Sequence, residues 1–179
     1  MKNKVLSEFS DLEKQRKEIL NLYGGLSSHQ LLFKPDPSHW NLLQVLRHLV
    51  TAEVQSVVLI RRRLSHHERS KKAGLSASIR HMILKIALVL PIKFKAPKIA
   101  EVHDEAPDIE TMKSEWVEVR NDINTIINET DSDVLAKELY IHPRAGALNI
   151  KQALEFINTH TSHHQKQMER IMNHSDFPA

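Results

Sequence analysis

The sequence predicts an all-α protein: a four-helix bundle with an extra helical excursion between its second and third long helices. Three observations point there. Four segments of about twenty residues repeat their apolar side chains at helical spacing. Glycine is scarce, at 4 of 179 residues, and no long strand-like alternation is present. Good N-cap residues stand at the starts of the later segments. A chain of 179 residues is expected to form a single domain spanning residues 1–179.

The first long helix is expected from about Lys4 to Tyr23. Leu6, Phe9, Leu12, Ile19, Leu20 and Tyr23 form its apolar stripe, with Arg16 as a polar break. Gly24-Gly25 supplies the stop. A short turn follows from Ser27 to Phe33, closed by Pro35 and Pro37. Asn41 reads as the N-cap of the second long helix, with Gln44 completing a capping box. That helix is expected to run to about Leu64 on a broad face of Leu42, Val45, Leu46, Leu49, Ala52, Val57 and Leu59, and His48 lies within the face. The excursion contains a basic stretch, Arg61 to Lys72, and a helical segment from about Ser76 to Leu90. Prolines then break the connection from Phe94 to Pro107 into an extended form. The excursion reads as an insertion packed over one end of the bundle.

Asp108 caps the third helix, which reaches about Glu129 through Ile109, Met112, Trp116, Val119, Ile123, Ile126 and Ile127. Asp131 to Ala136 reads as a short turn, Glu138 to Ile141 as extended, and His142 to Gly146 as a turn. Asn149, with Gln152 three residues on, opens the fourth helix, which ends near Met172.

The fourth helix carries the chemistry. His160 and His164 continue the apolar line of Ile150, Ala153 and Ile157, four residues apart and so one turn above each other. Imidazoles aimed into a bundle are costly unless their nitrogens are satisfied. A metal ion satisfies them, and HxxxH on a helix is a recurring way to hold one. His48 on the second helix supplies a third core-facing imidazole. The residues alone leave two readings open: a three-His metal site, or core histidines bonded to buried polar groups. Glu53 is the best-placed carboxylate, although a solvated helix position suits it better. His163 lies about 100° round the helix from His164 and reads as flanking, and Gln167 reads as a bundle-edge polar residue before a metal-supporting one.

Composition removes several classes of function. The chain has no cysteine, so it has no disulfide framework, thiolate site or cysteine nucleophile. Thr161 follows His160, so the general-base Glu of HExxH peptidases is missing. There is no glycine-rich phosphate loop, and the net charge is only +3. Arg61 to Lys72 has no interleaved aromatics, and no nucleic-acid partner is expected from it. The charged N-terminus is not a signal peptide, and the most apolar run, Met82 to Leu90, is short and interrupted by Lys85. No membrane partner is expected.

The segments LLFKPDPSHWNLLQVLRHLVTAE, FKAPKI and HPRAGALNIKQALEFINTHTSHHQKQMERI, in this order and spacing, resemble the DinB/YfiT-like superfamily of metal-binding four-helix bundles. The resemblance implies an up-up-down-down bundle whose three-His site maps onto His48, His160 and His164. It further implies a bacterial cytoplasmic protein, often a homodimer. It implies a divalent metal ion, zinc or nickel first and iron or manganese next. Related proteins include thiol-dependent S-transferases and a maleylpyruvate isomerase. The leading expectation is therefore an enzyme that activates a low-molecular-weight thiol for a small-molecule substrate, with Arg144 or Arg120 anchoring a carboxylate on the thiol. A metal-dependent hydrolase using His142 or a carboxylate to move protons is the second expectation. A non-catalytic metal-binding bundle is the third.

Overall fold

The computed structural model describes residues 1–90 and 108–179. Its elements are α1 (Lys2–Tyr23), α2 (Ser28–Leu32), α3 (Leu42–Leu64), a 3-10 turn (His67–Arg69), α4 (Leu75–Val89), α5 (Ile109–Glu129), α6 (Ser132–Leu135), the strands β1 (Tyr140–His142) and β2 (Gly146–Leu148), and α7 (Ile150–Met172). The expected extended connection from Phe94 to Pro107, and the FKAPKI segment of the resemblance, lie outside the described residues.

Three of the long helices, α3, α5 and α7, begin where side chains satisfy their first free N–H groups. Asn41 accepts from the Gln44 amide while Gln44 reaches back to the Asn41 N–H, and Asn149 and Gln152 repeat the arrangement on α7. The Asp108 carboxylate accepts from the amides of Glu110 and Thr111. Each cap fixes the phase of its helix, and so which residues face inward.

α1, α3, α5 and α7 form the bundle, with α1 packed on α7 and α5, and α3 on α5 and α7. Cross-helix contacts set the directions. Lys2 of α1 donates to the Asn128 carbonyl near the end of α5, so these two helices are antiparallel. Glu8 meets Lys151 and Gln15 meets Ser162, so α1 and α7 run the same way. Arg47 pairs with Glu115 and Arg61 with Asp122, so α3 and α5 also run together. His48, early in α3, meets His160 and His164, late in α7, while Ser56 reaches Tyr140 ahead of α7, so that pair is antiparallel. The order is up-down-down-up, which corrects the expected up-up-down-down arrangement.

The core fills with Leu12, Ile19, Leu46, Leu49, Met112, Trp116, Ile127 and Met168 among others. Gln15, rather than Arg16, is the buried polar residue of α1, and its amide donates to Ser162 Oγ at 2.8 Å and Gln165 Oε1 at 3.0 Å. α4 does not lie over an end of the bundle. It runs along the flank of α7, with His81 and Lys85 near Glu155 and the Leu88 carbonyl accepting from His163 Nδ1 at 2.8 Å. The segment between α6 and α7 folds into a hairpin pairing Tyr140 with Leu148 and His142 with Gly146. Gly146 has φ of 71°, a conformation that side chains disfavour, which is why glycine closes this turn.

Among the described residues, α3 is the one helix long and apolar enough to cross a membrane, a feature the apolar run at Met82 to Leu90 does not indicate. Of that stretch 61% is buried inside the protein, so the bundle itself consumes the apolar face.

Candidate metal centre

His48 sits in the second turn of α3, and His160 and His164 face it from α7. Because the helices are antiparallel, the early part of one and the late part of the other meet at one end of the bundle. His160 Nε2 is 3.3 Å from His48 Nε2 and 3.2 Å from His164 Nε2. All three ligand atoms lie within 4.8 Å of one another. Among the described residues, this is the one group of three or more His, Cys, Asp or Glu side chains gathered so closely.

This arrangement fits a tetrahedral ion. Two nitrogens each ~2.0–2.1 Å from zinc and subtending a tetrahedral angle stand about 3.3–3.4 Å apart. The two separations given, 3.3 and 3.2 Å, lie within about 0.1 Å of that range. Protonation is also right for a ligand set. Burial, followed by the neighbouring imidazoles His164 and His48, holds His160 well below the usual imidazole range. Burial and His48 push His164 down to about 3. Both rings are therefore neutral at pH 7, as metal ligation requires.

Surrounding side chains orient the rings. His164 Nδ1 donates to Gln167 Oε1 at 2.8 Å, which places the proton on Nδ1 and leaves Nε2 bare toward the cluster. Phe156 stacks on His160 with centroids 5.5 Å apart, and Trp40 lies 5.2 Å from His48. Gln167 is thus a supporting residue of the site rather than a bundle-edge one. Its position three after His164 carries the signal, but spacing does not say which way the amide points. Gln167→Ala is expected to weaken metal affinity by about 10–100-fold while leaving the stoichiometry at one. Competition titration with a chromogenic chelator reads this, and an unchanged affinity would show that the hydrogen bond does not set the ring.

Several other expectations are corrected by the fold. Glu53 is neither a ligand nor solvated: it is 2% exposed and accepts from Arg120 Nη2 at 2.7 Å. Arg120 is equally buried and occupied by this pair, so it does not anchor a substrate. His142 Nδ1 accepts from the amides of Arg144 and Ala145, at 3.2 and 3.0 Å. Burial, with Arg144 adding its charge, pushes His142 down to about 4. His163 flanks the site as expected, tied to α4 through the Leu88 carbonyl. In the basic stretch, Arg61 donates to Asp122 and Lys72 to Asp133.

The neutral histidines make stability pH-dependent. Each has a folded pKa below its unfolded value of about 6.5, so below that pH the unfolded chain binds more protons than the folded one. Stability is then complete above about pH 6.5 and is lost as pH falls, toward about 4 for His142 and about 3 for His164. Each group adds a slope of up to about 1.4 kcal/mol per pH unit. Thermal melts of metal-free protein are expected to hold steady from pH 8 to 7 and to fall between about 6.5 and 5. A flat profile across that window would mean that the imidazoles titrate normally.

An up-down-down-up helical bundle that gathers three imidazoles at one point defines a class: helical bundles whose histidine cluster could hold a single metal ion. The chain belongs to the DinB superfamily, whose family model matches residues 11–168. It is similar to the uncharacterized protein YuaE of Bacillus subtilis (strain 168), with 28% identity over 156 residues covering 87% of this chain and 91% of the relative. No solved structure matches the chain.

Proposed function

We propose that the protein is a divalent-metal-dependent enzyme that activates a low-molecular-weight thiol for transfer to an electrophilic small molecule. The observation that supports this reading is the make-up of the site, three imidazoles with no carboxylate in the group. His48, His160 and His164 would hold the ion through their Nε2 atoms. An ion bound by neutral ligands keeps its full charge, and it lowers the pKa of a thiol or water that takes an open position.

The neighbouring residues favour a thiol over water. Hydrolysis needs a side chain to manage the proton of the attacking water. His142 has its Nδ1 occupied by two backbone donors, and Glu53 is held by Arg120. A thiol starts from a pKa of about 8.5 and needs only to lose one proton to solvent. Its sulfur then forms the new bond to the electrophilic carbon, and the leaving group departs with the electron pair. Arg144, exposed in the hairpin turn, is the residue proposed to meet a carboxylate on the thiol. The chain has no cysteine to compete for the ion, which suits a cytoplasm rich in small thiols. Zinc and nickel are the ions proposed first, since imidazole suits both.

The test is conjugation of several small thiols to a chromogenic electrophile by zinc- or nickel-loaded protein. Turnover with a subset of thiols, absent from metal-free protein, is the expected result. Ester hydrolysis without thiol conjugation would make the protein a hydrolase. Metal uptake with neither activity would leave a metal-binding bundle without turnover.

A further inference from the structure

The hairpin ahead of α7 holds a hydrogen-bond donor that the three-imidazole cluster does not use. Pro143 follows His142, and a proline keeps the residue before it extended, which suits the end of β1. Pro143 has no N–H, so the first two amides past it turn back instead. Those of Arg144 and Ala145 both donate to His142 Nδ1, at 3.2 and 3.0 Å. A ring nitrogen that accepts hydrogen bonds carries no proton, so the proton of the neutral ring sits on Nε2. Protonating Nδ1 would set its N–H against two others. Burial, with the Arg144 charge beside it, pushes the His142 pKa down to about 4, so the ring stays neutral at pH 7. The side chain is therefore a donor of fixed direction rather than an acid or a base. It is 8% exposed, and among the described residues no acceptor meets its Nε2–H.

This donor stands beside the histidine cluster. Phe156, one helical turn before His160, meets the His142 ring at 67° with centroids 4.5 Å apart and stacks on His160 with centroids 5.5 Å apart. The two imidazoles share one aromatic neighbour and lie within the span of one small molecule. A buried N–H without an acceptor carries a desolvation cost, which a ligand oxygen removes. We propose that His142 is a specificity-determining residue of the centre, donating from Nε2 to a carboxylate oxygen of the thiol. The inference rests on the thiol reading of the site and adds to it. Arg144, on the same turn, brings charge on a flexible side chain, whereas the hairpin fixes where the His142 N–H lies. An alkanethiol of equal length leaves that N–H unmet, which is how the site tells the two apart.

Asparagine and glutamine separate the two ring nitrogens. An asparagine Oδ1 takes the place of Nδ1, and a glutamine amide nitrogen takes the place of Nε2. His142→Asn therefore keeps the acceptor of the turn and loses the donor, while His142→Gln keeps the donor and loses the acceptor. Cobalt-loaded protein, whose absorption changes when a thiolate joins the ion, is titrated with 3-mercaptopropanoate and 6-mercaptohexanoate, each against the alkanethiol of equal length. The wild type is expected to prefer at least one carboxylate thiol. His142→Asn is expected to bind that thiol about 10–100-fold more weakly, the change expected for one hydrogen bond to a charged group, with alkanethiol affinity and melting temperature unchanged. His142→Gln is expected to keep the preference and to melt lower. A preference that survives in His142→Asn, or that is lost in His142→Gln, overturns the proposal and leaves His142 a structural residue of the turn. A second reading needs no metal: in nitrogen-15 spectra of metal-free protein at pH 7.5, His142 is expected as the Nε2–H tautomer, and the Nδ1–H tautomer would overturn the assignment. Thiols that bind the wild type with no carboxylate preference overturn this inference alone. Cobalt that takes up no thiol removes the thiol reading and this inference with it.

Discussion

Substituting His160 by alanine is expected to abolish stoichiometric metal uptake. Wild-type protein purified without a metal-binding tag should carry, or take up on titration, about one equivalent of zinc or nickel. His160 Nε2 is the nitrogen that approaches both others, at 3.3 Å and 3.2 Å, so its loss removes the centre of the triangle. Complete zinc sites in small protein folds are worth about 10–16 kcal/mol, and one ligand of such a set carries several of these, an affinity loss on the order of 10³-fold or more. The variant should still fold, because His160 keeps partial solvent exposure and Phe156 can settle against the space. Two measurements check it: elemental analysis of both proteins, and thermal melts with added zinc. Excess zinc at ~100 times the dissociation constant should stabilise the wild type by about 2.7 kcal/mol and leave the variant unmoved. If the folded wild type takes up neither metal, the histidines are structural and the proposed chemistry falls.

The second large effect concerns stability rather than chemistry. Arg120 of α5 and Glu53 of α3 are buried together, with the guanidinium also 3.9 Å from Glu13 of α1. Burial raises the Glu53 pKa, while the Arg120 charge and its hydrogen bond oppose the rise. Arg120→Met should therefore leave a buried carboxylate without its main compensation and destabilise the fold by about 3–5 kcal/mol at pH 7. For a chain of this length that is a fall in melting temperature of roughly 10 °C. The loss should shrink as pH falls through the usual carboxylate range and Glu53 takes up a proton in folded and unfolded chains alike. Replacing both members with methionine should recover most of the stability, since an apolar pair of similar volume carries no desolvation cost. Metal stoichiometry should stay at one in every variant, because neither residue belongs to the histidine group. A single variant as stable as the wild type would show that the pair sits in a wetter environment than the fold implies.

Much of the fold and of the histidine site is legible in the order of the residues. The capping boxes at Asn41 and Asn149 are local events, decided by a side chain and an amide three residues on, so residue order alone places both helix starts. The HxxxH spacing on α7 is equally local, since one turn of helix brings His160 and His164 into line whatever surrounds them. The third imidazole, His48, is legible because it interrupts an otherwise apolar face.

The features that escape such reading are long-range. Glu53 and Arg120 are 67 residues apart, and nothing in the composition near either one says that the other will neutralise it. Each therefore reads as solvated or available. Gln167 has the correct spacing for supporting His164, yet a side-chain amide can point to solvent or to a ring with similar local cost. The direction of the helices is also hidden: connections as long as those around α4 allow α5 to run either way.

The sequence by itself determined the helical class, the starts of the capped helices, and that His48, His160 and His164 lie on core-facing lines of their helices, because period, cap and spacing are short-range properties of the chain. Only the tertiary structure decided that α3 and α7 run antiparallel. That direction brings an early His48 and a late His160 to one end of the bundle and closes their Nε2 atoms to 3.3 Å. Those outcomes depend on how separate helices share a core, and that is settled by packing between residues far apart in the chain.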